Sequence, residues 1–592
     1  LVVAGIALWR RSPAGPERER YTIRGLTFDA AANVSPVISP DGKLIAYASD
    51  RGGEAQSEIW LQQVAGGEPV RLTNGLGLAH DPVFSPDGSR IAFRAGVEST
   101  TIYIISALGG APRRIADCRW PHWAPDGTQL SCINPANSRI MIVSASGGAP
   151  REVPMKRGVS GRALWLPDGK FFLYASRTAG AETTGLEWYT VGVDGGEESA
   201  TGAAAAFKAA GLDAVRPESL VLDGVLAFAG GFDSANICRI PFDFASRRVT
   251  GALVPITVAP GVNFWPTGSA DGRRIVFASA QRFNSNLWQM PLDAASGVAA
   301  GEPRRITDGL QERIAPFPMR DGTHIVYVAG MGSSVEIRLR NLTTAAETRI
   351  AEAAEASPPV ISDDSSQVAW AVMEQKRISI YSAPLRGGVP RRLCTNCGRP
   401  VEWFANGTRL LYDRAGPDRN EIHVLDIATG QSRKLLGYPK HELFTPRLSP
   451  DGRLLCFTAV MGTVERRIYL APFSPDHEID QSQWTVFLEG SNLQRQPFWS
   501  ANGQIIYFLS ERDAFRCVWG QRINRETRKP IGDAFAVRHF HQFRNNLLDF
   551  GDVANIGLSV AGNTMFIAIR EIQSNIWLAE RQSPGETKPK QP

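Results

Sequence analysis

Short apolar runs with period-two alternation recur along the whole chain, each after a compact polar turn. The first is ISPDGKLIAYAS at 38–49. It returns as FSPDGSRIAFRA (84–95), LPDGKFFLYAS (166–176), SADGRRIVFAS (269–279) and LSPDGRLLCFTA (448–459). Weaker copies such as LDGVLAFAG (222–230), SANGQIIYFLS (500–510) and VAGNTMFIAI (560–569) bring the total to twelve. Alternation over so few residues marks a strand rather than a helix. In the turn, Pro presets φ, Asp bonds nearby backbone groups and Gly takes the left-handed conformation. A further apolar strand follows each turn, from EIWLQQV (58–64) to NLWQMPL (286–292) and NIWLAER (575–581). A fourth, often after Gly-Gly, reads EPVRLT (68–73), APRRIA (111–116) or EPRRIT (302–307). Successive turns lie 39 to 60 residues apart, mostly the length of a four-stranded propeller blade. The expected fold is all-β: tandem β-propellers of twelve four-stranded blades.

A ring of blades must close or expose its edge strands. YTIRGLTF (21–28) is a fourth-strand copy standing before the first blade, and the last blade has no such strand after NIWLAER. Twelve blades exceed the usual 4–8 per ring. Six and six places two rings at 21–300 and 301–580. The pattern also permits seven and five, and near-equal length favours the even split. On that division YTIRGLTF pairs with NLWQMPL, and EPRRITDG (302–309) pairs with NIWLAER. The Ala-rich SATGAAAAFKAAGLDAV (199–215) predicts a short helix, a surface ornament rather than a binding element. A long connection is expected over 524–559.

The chain opens with LVVAGIALW, then Arg10 and Arg11. This reads as the end of a transmembrane helix with a polar linker, residues 1–20, in a chain missing its true N-terminus. Residues 581–592 read as a disordered tail. The net charge of +5 carries no basic block, which argues against nucleic acid as a partner. Seven cysteines do not make a disulfide scaffold. Cys394 and Cys397, in CTNC, are candidates for a local disulfide. His539 and His541, in RHFHQF, share a face, but no further ligand lies nearby in sequence, so no metal site is expected.

Asp549-Phe550-Gly551 lacks the His-Arg-Asp loop, strand lysine and glycine-rich loop that would make it kinase chemistry. No Gly-x-Ser-x-Gly elbow exists, and GVSG (158–161) has the wrong spacing. The residues present are read as non-catalytic, with no cofactor. Asp50, Arg51, Arg177, Arg282, Glu511 and Arg512 recur just after second strands, on loops that gather at one propeller face. They are the candidate binding residues, for a protein or peptide ligand.

The SPDG–strand–IW–strand–RLT unit resembles the WD-like repeat of TolB-type propellers over nearly the whole chain. The passages RGLTFDAAANVSPVISPDGKLIAYASDR, CTNCGRPVEWF and FLSERDAFRCVWGQR, with the apolar start, resemble more narrowly the C-terminal tails of bacterial receptor-type serine/threonine protein kinases. Membrane-anchored winged-helix regulators carry similar tails. The resemblance implies a sensor or interaction module on a single-pass inner-membrane protein, with its effector domain before Leu1. It also implies propellers outside the cytoplasm, whereas Arg10 and Arg11 would by the positive-inside rule prefer the cytoplasm. A free-standing periplasmic scaffold like TolB and an accessory propeller of a peptidase-like enzyme are the alternatives.

Overall fold

The computed structural model describes residues 21–582, apart from 54–55, 97–100, 178–185, 213–214, 231–234, 258–261, 310, 331–334, 354–355, 375–376, 416–419, 439–441, 462–464, 490–494, 513–515, 543 and 548–556. The expectations placed on residues 1–20, on 583–592 and on Asp549-Phe550-Gly551 lie outside the described residues. Among the described residues no helix is long and apolar enough to cross a membrane.

Among the described residues the strands form nine four-stranded sheets and one twelve-stranded sheet, and the protein is a tandem β-propeller. In several blades the turn between the first and second strands has a hub that the repeat pattern alone does not show. Ser39 Oγ donates to Asp41 at 2.6 Å and accepts the N–H of Leu44 at 2.9 Å, while Gly42 sits at φ 72°. The same serine-to-aspartate bond recurs at Ser85–Asp87, Ser269–Asp271, Ser362–Asp364 and Ser449–Asp451. These hydroxyls, first among the causes, hold the aspartates below the usual carboxylate range, Asp87 to about 2.

After each turn, an aromatic residue is often buried on the second strand and faces the third. Tyr47 lies opposite Trp60, Phe93 opposite Tyr103 and Phe457 opposite Tyr469. The threonine of RLT locks the fourth strand, since Thr73 Oγ1 accepts the N–H of Ile59 at 2.9 Å and donates to the Glu58 carboxylate. Apolar clusters between successive blades run in a circle. In the first propeller they lead from Val34, Ile59 and Phe93 through to Val221 with Phe277, and return through Val276 and Leu578 to Tyr47. In the second they lead from Leu287 with Tyr327 to Val518 with Ile567.

The closure differs from the sequence expectation. Tyr21–Gly25 pairs with the end of the chain, Tyr21 opposite Arg581, and Arg304–Arg305 pairs with Gln289 and Trp288. The expected partners are exchanged. The cause is two strands of 18 residues, Arg274–Pro291 and Thr564–Arg581, that never turn back. They run antiparallel through both propellers, from Arg274 opposite Glu580 to Pro291 opposite Thr564. Each supplies the second strand to one closing blade and the third strand to the other. Thr27 therefore donates to Asn575, and Thr307 to Asn286. Strand character persists through Arg581, where a tail was expected.

Two insertions also differ. The helix spans Ala203–Ala209, but it is no ornament: Phe207 is buried against Trp188, ring centroids 5.3 Å apart, and Glu187 accepts the N–H of Ala203 at 2.9 Å. Within the long connection, Lys529–Arg538 is a fourth strand. Cys394 is joined to Cys397, and a second disulfide joins Cys118 to Cys132, which sequence spacing does not suggest.

Candidate functional site: the two propeller channels

Innermost strands converge at the centre of each propeller, and seven of them share a sequence signal, a residue followed by proline. A residue before proline adopts φ between 48° and 55° at Ser35, Asp81, Trp120, Trp265, Ala315, Thr445 and Gln496. The strand register shifts at each of these points. A left-handed residue other than glycine costs roughly 1–2 kcal/mol. Seven-fold repetition of that cost marks a shaped element, since bulges re-aim side chains.

In the first channel the bulge carries charge. Asp81 binds Arg94 at 2.5 Å and Arg162 at 3.0 Å, accepts from Ser35 Oγ at 3.3 Å, and Arg162 reaches Glu218 at 3.2 Å. This chain of ions draws on the first, second, fourth and fifth blades. Asp81 is held well below the usual carboxylate range: burial works against its charge, and the guanidinium groups of Arg94 and Arg162 outweigh it. Glu218 is raised, because burial outweighs Arg162.

Two histidines flank this chain. Burial, then Arg94, lowers His80 to about 3; burial, then Arg162, lowers His122 to about 4, and its Nδ1 accepts the N–H of Trp165 at 3.2 Å. Depressed folded values mean that their contribution is intact above the unfolded value, near 6.5, and is lost as pH falls toward the folded ones. Asp81 adds a loss at still lower pH. Glu218, being raised, acts in the opposite sense. We expect the thermal midpoint to fall between pH 7 and 4.5, and His122→Asn to lessen the fall. A midpoint flat over that interval would contradict the lowered titration of these two half-buried imidazoles.

The second channel is mainly apolar. Pro316, Phe317, Pro359, Val360, Pro400 and Phe498 line a small cavity of about 30 Å³. Arg447 borders it, buried, its guanidinium 4.4 Å from the Phe498 ring centroid and bonded to the carbonyl of Val401. Its Nε has no hydrogen-bond partner. Burial lowers Arg447 against the attraction of Glu402, and burial raises Glu402.

Four of the loop residues singled out in the sequence, Asp50, Arg51, Glu511 and Arg512, are engaged with neighbouring side chains or backbone. Asp50 accepts from Ala32 N–H at 2.9 Å and pairs with Arg544 at 2.5 Å. Arg51 pairs with Asp29 at 2.6 Å and lies over Trp60. Glu511 binds Arg516 at 2.5 Å, and Arg512 lies over Phe508 and Trp519. Arg177 is exposed at the end of its strand. Arg282 marks a bulge in the long strand, and its side chain lies outside the described residues. His539 and His541 stand beside Cys517, a ligand type that the sequence reading did not connect with them. The X-Pro bulge could have been found from sequence; Arg162, Glu218, Arg447 and Cys517 carry no local signal.

Fold and repeat chemistry together define a propeller of TolB-type repeats. Residues 33–190 match the family model described as TolB beta propeller domain. The chain is 32% identical over 105 residues to the "Uncharacterized peptidase YuxL" of Bacillus subtilis (strain 168), covering 16% of each. It is 36% identical over 84 residues to the "Tol-Pal system protein TolB" of Francisella tularensis subsp. holarctica (strain OSU18), covering 14% of this chain and 19% of that one. The chain thus spans less than a fifth of the length of these curated relatives. Among solved structures, the putative TolB from Agrobacterium tumefaciens aligns with a TM-score of 0.38 at 16% identity, covering 49% of this chain and 98% of that one.

Proposed function

We propose that this chain is a non-catalytic protein-binding module of two six-bladed propellers that takes a peptide segment of its partner into a channel mouth. The observation that carries this reading is the second channel: an apolar, proline- and phenylalanine-lined concavity with a buried guanidinium whose Nε is unpaired. Such a site suits an extended chain with an acceptor group, a carbonyl or a carboxylate. The charged first channel supports polar recognition beside it. Two disulfides support an extracytoplasmic location. The membrane-anchored signalling role, with a kinase or regulator upstream, rests on the sequence resemblance and is tested by the reading frame before Leu1.

Peptides selected from a display library on the purified chain should bind the wild type and lose at least tenfold in affinity to Arg447→Met. Glu402, already pushed toward its neutral form by burial, tolerates that change by taking a proton. Selected peptides indifferent to Arg447 would remove the channel from the account. The match to an uncharacterized peptidase favours a second reading, an accessory propeller of a peptidase-like enzyme. Hydrolysis of the selected peptides by the purified chain would promote that reading over the first.

A further inference from the structure

Cys517 opens the third strand of its blade, Cys517–Asn524, and is buried outside any disulfide. The fourth strand, Lys529–Arg538, brings the chain back beside it, with Val518 opposite Arg538. The next three residues are His539, Phe540 and His541. Phe540 is buried in the same apolar cluster as Val518 and Met565, and its backbone N–H donates to Cys517 Sγ at 3.2 Å. The two imidazoles flanking Phe540 lie together, ring centroids 4.7 Å apart. One ligand atom from each of Cys517, His539 and His541 lies within 4.8 Å of the other two. His539 is exposed and His541 half-buried, so the cluster opens to solvent on one side.

We propose that Cys517, His539 and His541 form a three-ligand site for zinc(II), with a fourth position open to water or to a ligand atom from a partner. One sulfur and two nitrogens suit a borderline metal and exclude magnesium or calcium, which need oxygen. The ligand atoms must close by an ångström or so to reach tetrahedral spacing about one ion, within the reach of an exposed and a half-buried imidazole. On binding, the thiol proton leaves to solvent as the Sγ–metal bond forms, so uptake strengthens with pH. The N–H of Phe540, aimed at Sγ, stabilises the thiolate and fixes its direction, as outer-sphere donors do in such sites. The arginines next to the ligands in sequence carry counter-charges of their own: Arg538 is paired with Glu302, and Arg516 with Glu511.

The test uses the full chain stripped with chelator and titrated with cobalt(II), then zinc(II). One equivalent of cobalt should give intense tetrahedral visible bands and a thiolate-to-cobalt charge-transfer band in the near ultraviolet, both displaced by zinc. Cys517→Ser should abolish the charge-transfer band. His539→Ala and His541→Ala should each weaken binding at least tenfold, and both are placed to fold normally. The proposal is overturned by a wild type without the charge-transfer band, or by a band that persists at unchanged affinity in the double histidine variant.

Discussion

A chain ending at Gln573 should lose its first propeller and keep its second. The strand removed is the third of the blade that closes the first propeller, between Arg274–Ala280 and Tyr21–Gly25. Ile576, Leu578 and Ala579 are fully buried there, and they seal the closing blade against its neighbours on both sides. Burial of large aliphatic side chains contributes about 1.5–3 kcal/mol each. The lost strand therefore costs on the order of 5 kcal/mol, before its hydrogen bonds are considered. A domain's whole stability is only about 5–15 kcal/mol. The second propeller keeps Thr564–Ile572, its own second strand, and keeps Asn284–Pro291 as its third. Calorimetry should show one transition lost, and proteolysis should cut within 21–280 first. Two intact transitions in the truncated chain would mean that the crossing strands do not hold the rings closed. By the same logic, 21–303 and 304–582 expressed singly should not fold, since each needs a strand from the other.

That exchange shows where the sequence stopped being readable. The blades were legible because turn chemistry and period-two alternation are local, and each blade repeats them. The two closing third strands read Asn286-Leu287-Trp288 and Asn575-Ile576-Trp577. They present the same apolar face and the same asparagine for a threonine to bind, so neither names its partner. The available signal was weak: 281–285 and 571–574 lack the Gly or Pro that punctuates most second-to-third connections, although 374–377 lacks them too and Glu374 still pairs with Arg377. The channels were missed for another reason. Their charged residues come from different blades, and Asp81 meets Arg162 across a sequence separation of 81. The loop charges were singled out because they recur after second strands; the pairings of Asp50 with Arg544 and Arg51 with Asp29 depend on segments distant in sequence and could not be read there. Cys517 became a neighbour of His539 and His541 only once Lys529–Arg538 paired as a strand rather than lying loose in a connection.

Glu312→Gln should be among the most destabilising single substitutions in the protein. Glu312 and Arg570 form an ion pair of 2.7 Å with side-chain exposures of 1% and 2%. The carboxylate also accepts the N–H of Ser285 at 2.8 Å. It therefore joins both crossing strands, Arg570 on one and Ser285 on the other, to the innermost strand Arg313–Pro318 that follows it. Burial already lowers Arg570 against the attraction of Glu312. Glutamine keeps the shape and an acceptor for Ser285 but removes the negative charge that Glu312 sets against the guanidinium. Breaking a buried pair by removing one partner costs about 3–5 kcal/mol. Replacing both partners with apolar residues of like volume, Glu312→Leu with Arg570→Met, should recover most of that loss, because desolvation of two ions then disappears with their attraction. Denaturant titration of the single and double variants measures both quantities. A single variant within about 1 kcal/mol of wild type would show that solvent reaches this junction. A double variant as unstable as the single would mean that the pair is held for its hydrogen bonds to the crossing strands, and its charge balance would be secondary.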